Sequence, residues 1–239
     1  QTILRVKGPL YTAPYPVVSI PAGTYGVVGN ILPSEIDFTQ LTRGGGADDA
    51  FLLWDPQLYG SYGLGGYQTF SSSTPIPWKP VPGGGSYGTT ASTKIPSGLG
   101  FVVRATGSTG TIQLTEAAKS TGANVGGTGF RPASPTAAVP YLETNLYAAN
   151  GASYNLADGN IVGFDDAYSN DIDNKDNVKV PGFGDGIGMV RGTTVLSAEQ
   201  RKLLVSGDVI PFRMTNLKKQ AYKLEFTPSG LNDGVTTAV

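Results

Sequence analysis

The chain has 239 residues, with 34 Gly, 17 Pro and 12 Tyr but neither His nor Cys, which removes the commonest general base, the thiolate nucleophile and every disulfide. Lys and Arg number 17 against 18 Asp and Glu, a net charge of −1, so no global basic field marks nucleic acid or an anionic membrane as a partner. No apolar run approaches the ~20 residues of a spanning helix, and no direct membrane insertion is expected.

From the N-terminus, Thr2-Ile3-Leu4-Arg5-Val6-Lys7-Gly8 is strand-like. It is expected to pair at a sheet edge, in its own domain or in a neighbouring copy, because unpaired edges accept further strands. Ser34-Glu35-Ile36-Asp37-Phe38, after Pro33, fits one helical turn capped by Ser34. Phe51-Leu52-Leu53-Trp54 and Phe101-Val102-Val103 are continuous apolar runs, as in strands covered on both faces. Asp55-Pro56 closes the first run, with Asp55 suited to accept backbone N–H groups and Pro56 to stop the ladder. The Pro- and Gly-rich stretch from Thr74 to Thr93 reads as a functional loop or a lid over a neighbour. Gly44-Gly45-Gly46 and Gly83-Gly84-Gly85 lack the context of a phosphate-binding loop and read as loop tips.

Residues 119–135 are rich in Gly, Thr, Ser, Ala and Pro and read as a linker. The expected organisation is therefore two units, 1–118 and 136–239. Farther on, Asn150-Gly151, Asp158-Gly159, Asp185-Gly186 and Ser206-Gly207 carry turn chemistry. Ser197 and Gln200, three apart, suggest a capping box opening a helix to Leu204, in competition with the strands close on either side. Asp208 to Met214 alternates, and its Pro211 demotes it to an edge strand or a bulge. Ala221 to Phe226 alternates cleanly, placing Tyr222, Leu224 and Phe226 on one face. Gly230 to Val239 is polar and reads as a tail. Many short strands with little helix between them predict an all-β chain, an antiparallel β-sandwich of jelly-roll-like type in two tandem units.

Two groups of residues carry candidate chemistry. Asp165, Asp166, Asn170, Asp171, Asp173 and Asp176 offer hard oxygens at short spacing, as Ca²⁺ requires. No EF-hand pattern is present, and a solvated acidic turn neutralised by Lys175 and Lys179 is the competing reading. Tyr59, Tyr62, Trp78 and Tyr87 are aromatic residues in or beside loops, and exposed rings of this kind stack on sugar faces. Trp54, ending an apolar run, reads as core, and Trp78 as the more exposed ring. Adjacent acids such as Asp48-Asp49 suit a glycosidase only in principle, and without His or Cys no enzyme activity is expected.

A series of phrases carries a resemblance. They are Leu4-Arg5-Val6-Lys7-Gly8, Val28-Gly29-Asn30-Ile31-Leu32-Pro33-Ser34-Glu35-Ile36-Asp37-Phe38, Phe51-Leu52-Leu53-Trp54-Asp55-Pro56, Gly65-Gly66-Tyr67-Gln68-Thr69-Phe70 and Ile95 to Arg104. Later come Phe164 to Asn170, Asp176 to Lys179, Phe212 to Leu217 and Tyr222 to Phe226. In this order they resemble a module of large secreted surface proteins of Bacteroidetes, adhesin-like or gliding-associated, many of which end in a type IX secretion sorting domain. Where that family usually has Asn-Pro-Tyr-Pro, this chain has Asn30-Ile31-Leu32-Pro33. The resemblance implies an extracellular or cell-surface location and partners among other surface proteins or copies of the chain itself. It implies an adhesin-like role or a structural part in a filament. The alternative is a carbohydrate-binding module with polysaccharide as partner. The start at Gln1, with no signal segment, and the end at Val239, with no sorting domain, read as a processed product or a piece of a longer protein.

Overall fold

The computed structural model describes residues 8, 12–59, 63–120 and 139–231. The fold is all-β: strand makes up 50 % of the chain and helix 3 %, the excess that the alternating patterns predict. Among the described residues the helix consists of two single 3-10 turns, Phe38–Gln40 and Glu116–Ala118. The turn expected from Ser34 begins instead at Phe38. Asp37 is its cap, its carboxylate accepting from the Thr39 N–H.

The residues fall into two compact units, each built from two stretches of chain. The first takes residues 1–48 and 93–129. Its spine is β8 (Gly100–Gln113), which pairs antiparallel with β1 (Val17–Ile20), β2 (Tyr25–Gly29) and β4 (Thr42–Ala47). A short pair, β3 (Ile36–Asp37) and β7 (Lys94–Ile95), forms a separate antiparallel ladder. The apolar run at Phe101 is buried throughout, and the Phe101 ring meets Phe38 edge to face at 6.1 Å.

The second unit takes residues 49–92 and 130–239. It contains the hairpin of β5 (Ala50–Asp55) and β6 (Gly66–Ser71). Its large sheet runs in the order β14 (Phe212–Thr215), β12 (Gly186–Arg191), β13 (Thr194–Arg201), β10 (Ser153–Phe164), β9 (Tyr141–Asn150), β15 (Tyr222–Ser229), with β11 (Asn177–Val178) also on β13. All pairs are antiparallel except β10 with β13. Residues 49–92 belong here because they pack on this sheet. Val81 joins Ile161 and Ala198 in one apolar cluster, Thr69 bonds Ser197, and the Gln200 side chain donates to the Ser73 carbonyl. Segment 74–82 thus covers the sheet, the lid among the expected roles. Gly163 permits it, since a Cβ there would lie 2.7 Å from the Pro75 ring. Of the expected linker, residues 121–135 lie outside the described residues, as do Thr2 to Lys7 and residues 232–239.

The segment from Ser197 is not a helix. It is part of β13, the most enclosed strand of the sheet, with neighbours on both edges and both faces. The capping-box spacing is overridden because this backbone is already committed to the ladders of β10, β11 and β12. Asn150-Gly151 makes the β9–β10 hairpin turn as expected, with Gly151 at φ +60°. Asp158-Gly159 does not turn. It sits inside β10 beside a bulge, and the Asp158 carboxylate is buried against the Lys179 ammonium at 2.7 Å. Asp185-Gly186 likewise leads straight into β12.

Candidate functional site

The large sheet curls, and its two edge strands approach until Phe212 of β14 and Phe226 of β15 meet edge to face at 6.1 Å. The curl leaves an open half-barrel. Residues directly opposite on antiparallel strands share a face. Leu224 lies opposite Leu146, and Phe226 opposite Thr144. Met214 lies opposite Ile187, and Phe212 opposite Met189. All four therefore sit on the face that forms the core. Their partners are sealed, Leu146 being 0 % exposed, yet Leu224 is 39 %, Phe226 36 % and Met214 47 % exposed. The cause is position: among the described residues, β14 and β15 have a strand on one side only. Together with exposed Leu217 they make an apolar shelf along the mouth of the half-barrel.

Polar groups lie behind the shelf. Thr144 and Asn160 are cross-strand partners on this same face, both 0 % exposed, and the Thr144 hydroxyl and Asn160 amide have no hydrogen-bond partner among the described residues. Glu199 is buried and pairs with Arg191 at 3.0 Å. Burial pushes its carboxyl above the usual range, while Arg191 and Arg201 oppose that shift. Asp176 is raised for the same reason, loss of water, against hydrogen bonds from the Gln200 and Asp173 N–H groups.

The acidic segment forms an ordered loop after β10. Asp165 accepts from the Ala167 N–H, Asp173 from the Lys175 N–H, and Asp176 from the N–H groups of Asp173 and Gln200. The Asn170 side chain accepts from the Lys202 N–H, and its carbonyl from Arg191. Asp166 and Asp171 are exposed. The carboxylates of Asp165, Asp173 and Asp176 hold turns, and among the described residues no three His, Cys, Asp or Glu converge as a metal-holding group.

Of the aromatic candidates, Tyr62 lies outside the described residues. Tyr59 is half-buried, with its hydroxyl donating to the Asp185 carbonyl at 2.7 Å. Burial and then the Asp185 carboxylate push its phenol far upward. Tyr87 donates to the Trp54 carbonyl and meets Phe70 edge to face at 5.7 Å. Trp78 is half-buried and stacks on Phe51 at 6.0 Å, so it packs into its unit instead of standing clear of it. Trp78 and Tyr87 are linked through the stacked pair Phe51 and Phe70, 4.8 Å apart. The exposed ring that sequence reasoning missed is Phe183, 79 % exposed and 6.0 Å from Trp54. The only sequence signal for it is an apolar residue between Gly182 and Gly184.

Beside Phe183, a cavity of about 30 Å³, room for one water, is lined by Tyr59, Tyr67, Asp158, Lys179 and Asp185 with several glycines. Gly184 is required there, because a Cβ would lie 2.6 Å from the Tyr59 ring. Asp55, foreseen as an N–H acceptor, is fully buried below the neighbouring hairpin. It takes the N–H groups of Gln57 and Ser86, the Ser86 hydroxyl and the Gln68 amide, tying loop 84–88 to β5 and β6. No helix among the described residues is long and apolar enough to cross a membrane. Against known proteins, the chain matches no family model, no curated protein and no solved structure.

Proposed function

We propose that the chain is a non-catalytic module of a secreted cell-surface protein of the Bacteroidetes type, adhesin-like or structural, that associates through the open edge of its second unit. The observation that carries this reading is the shelf. Three large apolar side chains on the core-facing side of two edge strands, Leu224, Phe226 and Met214, stand in water with Leu217 of the adjoining turn, where a protein interface is the ordinary use of such a patch. The unpaired backbone of β15 supplies a template for a partner strand. Tandem, jelly-roll-like sandwich units and an extracellular location belong to the same proposal, supported by the ordered phrases of the sequence. Sedimentation of the purified chain over a range of concentrations tests it. Self-association should appear, and Leu224→Asp with Phe226→Asp should abolish it while the monomer stays folded. A chain that is monomeric throughout, with no protection of β15 at high concentration, would sink the reading.

A second reading, carbohydrate binding, is favoured by Phe183 standing exposed beside Trp54 and a polar cavity. Retardation in gels containing neutral polysaccharide, lost in Phe183→Ala, would support it.

A further inference from the structure

We propose that the shelf of one copy receives the acidic loop of a second copy, residues 165–174 with Ile172 as the anchor, so that copies join head to tail. The inference rests on the shelf being an association surface and names what occupies it.

The loop and the shelf's turn lie at opposite ends of the sheet. The loop leaves β10 at Phe164, beside Tyr141 and Arg201, where the Asp165 N–H bonds the Arg201 carbonyl. The turn carrying Leu217, Lys218 and Lys219 precedes Tyr222, which lies opposite Ala148 on β9 and so level with Asn155 on β10. At ~3.3 Å per residue, the stretch from Asn155 to Phe164 separates the two by roughly 30 Å. They are too far apart to meet within one copy.

Their chemistry is complementary. Ile172, 44 % exposed, stands between Asp171 and Asp173, with Asp165 and Asp166 nearby. Leu217, 42 % exposed, is followed by Lys218 and Lys219, which hold no ion pair among the described residues. Lys223 is already engaged by Glu225 at 2.9 Å, and the turn itself carries the positive charge of Lys218 and Lys219. On the acidic side Lys175 lies over the Tyr168 ring, and Lys202 borders the loop, so the loop keeps a net negative charge. Its Asp-capped turns already fix it in shape, which reduces the ordering cost of docking. Two different patches on one molecule make a heterologous contact, which yields closed rings or open filaments.

The test uses two charge-reversed variants of the full chain, Asp171→Lys with Asp173→Lys, and Lys218→Glu with Lys219→Glu, examined by sedimentation and by thermal melting. All four positions are exposed; the lysine variant should melt as the wild type does, and the aspartate variant slightly lower, because Asp173 accepts the Lys175 N–H. Wild-type association should weaken with salt, because exposed charges are screened over a Debye length of ~8 Å at physiological ionic strength. Each variant alone should stay monomeric, and an equimolar mixture should regain association. Carbodiimide coupling of the wild type should join Lys218 or Lys219 to Asp171 or Asp173 between isotopically distinct copies. If Leu224→Asp abolishes association but the charge variants associate normally, or their mixture stays monomeric, the loop is not the occupant and the shelf reading survives. Couplings confined to other sites overturn the inference in the same way. If Leu224→Asp has no effect either, the shelf reading falls with it.

Discussion

Strands β13 and β15 belong to one sheet and have reversed fates. β13 carries Ser197, Glu199, Gln200 and Arg201, all buried. β15 carries Leu224 and Phe226 at the positions its alternation marks as inward, and both are exposed. Burial here follows the number of neighbours a strand has, and composition follows only loosely. The enclosed strand tolerates polar residues because ladders, Arg191 and the Ser73 carbonyl satisfy part of them. The edge strand keeps an apolar face for which its own sheet supplies no cover.

The cross-strand pair Leu146 and Leu224 gives the largest expected contrast. Leu146→Ala empties a sealed position and should cost about 3 kcal/mol, as buried Leu truncations do. Leu224→Ala, directly opposite, should cost less than about 1 kcal/mol, in keeping with its exposure. Equal losses in urea midpoints would mean that the edge is covered in solution. Asp55→Ala should follow at about 2 kcal/mol, because it strands the buried Gln68 amide and releases the part-buried bonds to Ser86. Chemical denaturation with limited proteolysis should show loop 84–88 cut first. An uncut loop at wild-type stability would contradict the tether.

A smaller effect is expected from pH. Glu199 and Asp176 have folded-state values raised above their usual 4.5 and 3.8. Between the usual and the raised values the folded state holds protons that the unfolded state has released. Their contribution to stability is therefore greatest at low pH and is lost as pH rises through the raised values. Glu199→Gln with Asp176→Asn should flatten that slope, and an unchanged slope would assign it to other groups. The smallest effect is that of calcium. Since Asp165, Asp173 and Asp176 already hold turns, millimolar calcium should leave the melting temperature unchanged. A rise abolished by Asp171→Ala with Asp173→Ala would instead establish an ion site by mass action on the folded state.

Much of this was legible in the residues. Alternation found β15, the continuous run found β5, and Pro211 marked the approach to β14 as an edge. Asp55 was readable as an acceptor because Pro follows it. What stayed hidden depends on partners remote in sequence. Nothing local to Ser197 shows that three other strands will claim its backbone. Asp158-Gly159 has turn chemistry until Lys179 arrives to neutralise it. Trp78 looked exposed between prolines, and only the fold places Phe51 beneath it. The shelf was invisible for the same reason: alternation says which side of β15 is apolar, and only the strand order says that, among the described residues, no strand lies beyond it.

The central claim is that β15 is an uncovered edge. Amide hydrogen exchange on dilute monomer tests it directly, since exchange reports local opening strand by strand. The account predicts that alternate amides of residues 222–229, those not bonded to β9, exchange orders of magnitude faster than the amides of residues 142–148. It also predicts that these fast amides become protected as concentration rises. Uniform protection across β9 and β15 in dilute monomer would contradict it.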